Sequence, residues 1–269
     1  MTATSLPHAP VTPRTPARDV PSPSLPLFGL PELFAFLKDP LRTLQTRASE
    51  LGPVYRMSTL GRDSIVLLGP DANERVFGNR EQIFANKPMW DEQIGRYFGG
   101  GLLLRDFDEH RAHRLIMNAA FTDTALRSYV EGMQRVIGAH LSSWPREADE
   151  TFLAFPALKL LTLEVAARVF LGEPSSRKAG SLNRAFLDTV RASGTGNLIP
   201  WAIPGTLTAR GVAGRAMLER YLFERIEPKR RSNDTDLFAL LCRGETRGDA
   251  RFTPKEIVDH LIFLLMAAH

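Results

Sequence analysis

Residues Gly99 to Thr122 read GGGLLLRDFDEHRAHRLIMNAAFT and place His110, Arg111, His113 and Arg114 within five positions of one predicted helix. Asp106 and Glu109 form a D-x-x-E start signal resembling a capping box, so this helix is expected to begin there and run to about Ala120. His110 and Arg114, spaced i, i+4, share a face that Met117 and Phe121 extend, while Arg111 points about a quarter-turn away. Like charges at that spacing repel by about 0.2–0.5 kcal/mol, whereas a charge-assisted hydrogen bond to a carboxylate contributes about 1.5–3 kcal/mol. The face therefore suits a dianion lying beside an apolar body; a solvated basic helix is the alternative. Gly99-Gly100-Gly101 precedes no G-K-[ST] and follows no clear strand, so a flexible loop is expected there, with no phosphate cradle.

The chain has 269 residues, 43% hydrophobic and 24% charged, which suits a globular protein with a sizeable core. Eight of the nineteen prolines fall in the first 31 residues, among Ser, Thr and Ala, and residues 1–24 are expected to form a disordered tail. That tail has no apolar segment of the kind a secretory signal needs, so a cytoplasmic location is expected. The longest apolar run, Leu261 to Ala268, is eight residues, against the roughly 20 that span a bilayer. No transmembrane anchor is expected. Net charge is +4, and the one dense basic run, Lys229-Arg230-Arg231, closes a helical pattern where cations suit the helix dipole; no nucleic-acid partner is expected. The single cysteine, Cys242, sits in the apolar helix end DLFALLCRG and is read as packing.

Asp39-Pro40 opens a helix to about Leu51, Val54–Leu60 and Ser64–Leu68 form a hairpin, and Gly69-Pro70-Asp71 starts a short helix to about Phe77. Beyond Phe121, helical periodicity dominates over roughly 122–144, 155–171, 178–193, 206–231 and 234–242, with breaks at Trp144-Pro145, Gly172-Glu173-Pro174 and Ile203-Pro204-Gly205. A mainly α domain with a small β annex follows. Thr253-Pro254-Lys255-Glu256 combines an N-cap Thr, Pro at the first helical position and Glu at the third. The residues after it, Ile257 to Ala268, read as apolar on every side and leave no polar face, so this helix is expected to cross a protein interior. No Gly, Pro or basic cluster closes it before His269, and an interrupted helix, hence a truncated domain, is expected.

The pattern D-x-x-x-H-x-x-x-R with a following A-F-T resembles the C helix of cytochrome P-450, the haem-thiolate monooxygenases. The order of proline-led helix, hairpin and G-P-capped helix, then E-Q-I-F-A-N-K-P, is similar to the amino-terminal part of that family, and L-L-M-A-A-H looks like its I helix, with Ala268 standing where Gly is usual. The resemblance implies an incomplete cytochrome P-450-like fold over residues 25–269, running from the A helix into the I helix. It implies haem b (iron protoporphyrin IX) as cofactor, with His110 and Arg114 on its propionates and Ala267 and Ala268 lining the distal pocket. Trp90, Tyr97, Phe98, Leu102, Trp201 and Phe263 fall where the family places substrate contacts. It further implies an apolar small-molecule substrate, O2 and a ferredoxin-type or reductase electron donor; Arg111, projecting away from the propionate face of a chain with a basic balance, is expected to help dock an acidic donor. The family's acid-alcohol pair, E-x-x-R brace and F-x-x-G-x-R-x-C-x-G thiolate loop are absent from these residues, so no catalytic residue or metal ligand is assigned and the fragment alone is expected to be inactive. The other functional readings are a non-catalytic helical interaction protein and a degenerate remnant.

Overall fold

The structure is a computed structural model that describes residues 20–23, 26–59, 62–146, 151–172, 177–194, 201–244 and 251–268. The expected disordered tail, residues 1–24, lies almost wholly outside the described residues. Two compact units meet in sequence between Phe84 and Ala85.

The first unit holds α1 (Leu30–Lys38), α2 (Pro40–Leu51), an antiparallel pair β1 (Val54–Thr59) and β2 (Arg62–Leu67), and α3 (Pro70–Gly78). Asp39 explains the junction of the first two helices: its carboxylate accepts from the Arg42 N–H at 3.0 Å, and Pro40 needs no donor at the first helical position. Register runs from Val54 opposite Leu67 to Thr59 opposite Arg62, so the second strand starts two residues before the expected Ser64. The buried Glu32 binds Arg47 through two parallel bonds of 2.8 and 2.6 Å, and this pairing holds the Glu32 carboxyl below its usual range against the opposing effect of burial.

The second unit is helical: α4 (Lys87–Phe98), α5 (Phe107–Asn118), α6 (Asp123–Ser143), α7 (Ala154–Ala166), α8 (Arg177–Gly194), α9 (Leu207–Phe223), α10 (Ile226–Arg231), α11 (Leu237–Arg243) and α12 (Pro254–Ala267). Short 3-10 turns cover Leu102–Leu104 and Ala119–Phe121, and a π turn at Ala167–Leu171 widens the end of α7. The expected helix 206–231 is two helices. Pro228 is the cause, because its ring excludes the carbonyl four residues back, at Glu224, where α9 gives way.

One core runs through this unit, from Tyr97 and Phe98 on α4 through Ile116 and Met117 on α5 to Leu237, Phe238 and Leu241 on α11 and Ile257, Leu261 and Ile262 on α12. α8 and α9 approach closely because glycine permits it: a Cβ at Gly214 would stand 2.3 Å from the Ala185 carbonyl oxygen, and one at Gly211 would stand 2.3 Å from the Ala192 Cβ. Among the described residues no helix is long and apolar enough to cross a membrane.

Candidate functional site

α5 begins differently from the capping-box expectation. Asp106 turns its carboxylate away from its own helix and accepts from the backbone N–H groups of Asn86 and Lys87, at 2.8 and 3.0 Å, satisfying the start of α4. Glu109 pairs with Arg105, whose Nε also donates to the Gly100 carbonyl at 3.1 Å. Phe107, at φ 51°, turns the chain into the helix.

The four clustered cations then separate by role. Arg111 pairs with Asp108 at 2.7 Å in solvent, and His113 points inward, where its Nδ1 lies 2.8 Å from the His260 Nε2. The half-buried His110 and the exposed Arg114 are left: neither side chain has a hydrogen bond or ion pair to another described residue. Two unpaired donors, one turn apart on a single face, fit a pair of carboxylates. Of the apolar residues that continue that face, Met117 is buried in the core and Phe121 stays largely exposed.

α12 starts as its sequence indicates. Thr253 accepts from the Glu256 N–H at 3.3 Å, and Glu256 accepts from the Thr253 N–H at 2.8 Å, closing a complete capping box. Burial is continuous from Ile257 to Ile262, then opens through the half-buried Phe263, Leu264 and Met266 to the exposed Ala267 and Ala268. Two of the buried residues, Asp259 and His260, are polar and were overlooked in the apolar reading of this helix. Asp259 takes the guanidinium of Arg215 from α9 and the ammonium of Lys255 at 2.9 Å, and Arg215 donates a further bond to the Tyr97 carbonyl at 3.0 Å. Polar residues inside an otherwise apolar helix were the available signal, since a buried charge has to be paired.

In the loop expected at Gly99–Gly101, Gly100 and Gly101 form a strap that lies close against α12. A Cβ on Gly100 would lie 2.2 Å from the Asp259 carboxylate, at a φ of +80°, and a Cβ on Gly101 would lie 2.4 Å from the Phe263 ring. Leu102 and Phe263 each pack, partly buried, against the core. Trp90, Tyr97 and Phe98 stand on α4; Trp90 is half-buried, while Tyr97 and Phe98 are enclosed. Trp201 is 70% exposed.

Cys242 is buried in α11, and burial pushes its thiol up to about 12, so it keeps its proton at neutral pH. The donor set thus fits the carboxylates of a haem. A thiolate for its iron is not among the residues of this chain, whose one cysteine is this buried thiol. The surface grooves along α3 and along α8 and α9 contain none of the site residues.

Comparison with known proteins points the same way. A putative cytochrome P450 136 of Mycobacterium tuberculosis is 37% identical over 221 residues, covering 81% of this chain and 44% of that protein. A putative cytochrome P450 120 of Synechocystis is 27% identical, over 91% of this chain and 56% of that protein. The chain therefore spans about half the length of the curated relatives it matches. A retinoic-acid-bound cyanobacterial structure of this fold superposes with a TM-score of 0.72 at 24% identity, covering 93% of this chain and 56% of that one. The family model described as Cytochrome P450 matches residues 20–269, and with the mycobacterial identity this makes the chain a member of the cytochrome P450 family.

Proposed function

We propose that this chain forms the amino-terminal half of a cytoplasmic, haem-dependent monooxygenase that inserts one atom of O2 into an apolar organic substrate. The observation that carries the reading is the division on α5, where His110 and Arg114 lack side-chain partners among the described residues while Arg111 and His113 have them. Haem b, when bound, supplies the activation of O2 with two electrons from a ferredoxin-type or reductase donor.

The residues of this chain bind and shape. Arg114 offers a planar fork to one carboxylate and His110 a second N–H donor. Ala267 and Ala268, as small residues at the end of α12, leave room for oxygen and substrate. Leu102 and Phe263, with Trp90, Tyr97, Phe98 and Trp201, supply the apolar walls or hold them from behind. Arg111, about a quarter-turn around α5 from the carboxylate face, steers an acidic electron donor. Cys242 remains a packed thiol with no part in the chemistry.

The test joins residues 20–269 to the carboxyl-terminal part of the mycobacterial relative and measures haem retained through gel filtration. Arg114→Ala is expected to lose haem at least tenfold faster than Arg111→Ala, because a shielded charge-assisted pair is worth about 1.5–3 kcal/mol and a solvated arginine under about 1 kcal/mol. Equal retention by Arg114→Ala and the unsubstituted protein would overturn the assignment.

A further inference from the structure

The seam between α5 and α12 contains a polar chain that the carboxylate face does not use. Glu256 commits one oxygen, Oε2, to the capping box and turns the other, Oε1, toward the His113 Nε2 at 3.4 Å. His113 Nδ1 meets His260 Nε2 at 2.8 Å. His260 is 0% exposed, and its Nδ1 has no hydrogen-bond partner. Phe252 covers both rings, with its centroid 5.1 Å from that of His113 and 4.7 Å from that of His260.

The chemistry of the neighbours assigns the protons. With Nε2–H on both rings, His260 donates to His113 and His113 donates toward a carboxylate oxygen. The opposite arrangement sets a lone pair of His113 against that carboxylate and leaves an N–H on His260 Nδ1 with nothing to bond. The contact between the rings accommodates a single proton, because two N–H groups cannot face each other at 2.8 Å. A further proton on the pair therefore either breaks the bond between the rings or leaves an unpaired N–H in a dry core.

We infer that Glu256, His113 and His260 form a neutral hydrogen-bonded clasp that positions α5 on α12, orients the His110–Arg114 face, and opens in acid. The purpose given to that face rests on the proposed function; the clasp itself does not. Burial, then Arg105, lowers the basicity of His113, opposed by Glu256 and Glu109. Burial, then the neighbouring His113 and Arg105, pushes His260 down to about 3. Phe252 brings no charge.

The direction with pH follows from these shifts. The folded chain refuses protons that the unfolded imidazoles accept below their ordinary 6.5, so the stability held in the clasp is complete above 6.5 and is lost as pH falls toward 3. Over that interval the unfolding equilibrium constant rises about tenfold per pH unit for each histidine kept neutral.

The experiment uses the full chain. Imidazole nitrogen NMR is expected to show Nε2–H on His113 and His260 at neutral pH, with both rings titrating below 6.5. Hydrogen exchange of the α5 amides should rise with the same acid titration. In His113→Leu/His260→Leu the acid limb of the stability profile should flatten by about one to two protons, and the acid-dependent exchange in α5 should disappear. An Nδ1–H tautomer, titration of either ring at or above 6.5, or an unchanged acid limb would overturn the clasp. Should the double variant not fold, the ring tautomers and titrations of the unsubstituted chain decide alone. Ring behaviour as expected, together with equal haem retention by Arg114→Ala and the unsubstituted protein, would remove the carboxylate reading and leave the clasp standing.

Discussion

α9 meets its two main neighbours by opposite means. Toward α8 it presents Gly211 and Gly214, so that backbones touch and the seam is filled by small groups, with the Thr189 hydroxyl bonded to the Ala185 carbonyl at 2.8 Å. Toward α12 it presents Arg215, which lies between Asp259, Glu219 and the Tyr97 carbonyl. The first seam depends chiefly on shape, with one hydroxyl bond crossing it from Thr189 to the Gly211 carbonyl at 3.3 Å. The second depends on charge, and the contact of α12 with α5 depends on the hydrogen bond between the neutral rings of His113 and His260. The seam of α12 with α9 therefore responds to single charge changes and that with α5 to pH, while the α8–α9 seam responds chiefly to volume.

The strongest break in this contrast is Asp259→Ala. It leaves the Arg215 guanidinium buried without its main counter-ion, and a loss of about 3 kcal/mol is expected in urea unfolding. Replacing both partners, as Arg215→Met with Asp259→Leu, should recover most of that loss, because desolvation of two ions offsets much of their attraction. Recovery would show that the pair sets geometry more than stability. Next is Gly214→Ala, where a Cβ 2.3 Å from a backbone oxygen must push α8 and α9 apart. A cost of about 2 kcal/mol is expected, the same at pH 5.5 and 7.5 when read by thermal unfolding. A pH-dependent cost would blur the distinction between the seams. The smallest effect belongs to Arg111→Ala. Its pair with Asp108 is 64% and 83% exposed, and stability should move by no more than about 0.5 kcal/mol in the same assay.

Helix starts whose first donors are satisfied by the preceding residue were readable from sequence: Asp39, Thr122, Thr206 and Thr253 each precede a helix and accept from its first turn. α4 was not readable in this way. Asn86 makes no side-chain cap, and the donors at the start of that helix find Asp106 across a span of chain that no local pattern reports. Gly100 and Gly101 read as loose for a similar reason, since their need for missing side chains comes from Asp259 and Phe263, far along the sequence. Pro228 is a breaker visible in the sequence, and it divides the continuous periodicity of 206–231 into α9 and α10. The spacing of His110 and Arg114 was plain in the sequence. Which of the four cations stayed unpaired was not, because His113 finds its partner 147 positions away.

The bond from Asp106 back to Asn86 and Lys87 has a consequence for the order of folding. It closes a span of 19 to 20 residues that contains α4, the glycine strap and the turn into α5. Closing so short a loop is entropically inexpensive, since the cost grows only with the logarithm of its length. By contrast, Arg215 reaches Tyr97 across 118 positions and His113 reaches His260 across 147. The α4–α5 segment is thus placed to organise early and locally, as a pre-formed platform. α12 docks on it late, after most of the chain has been gathered in, so its polar contacts act as a final check on register and contribute little to the nucleus.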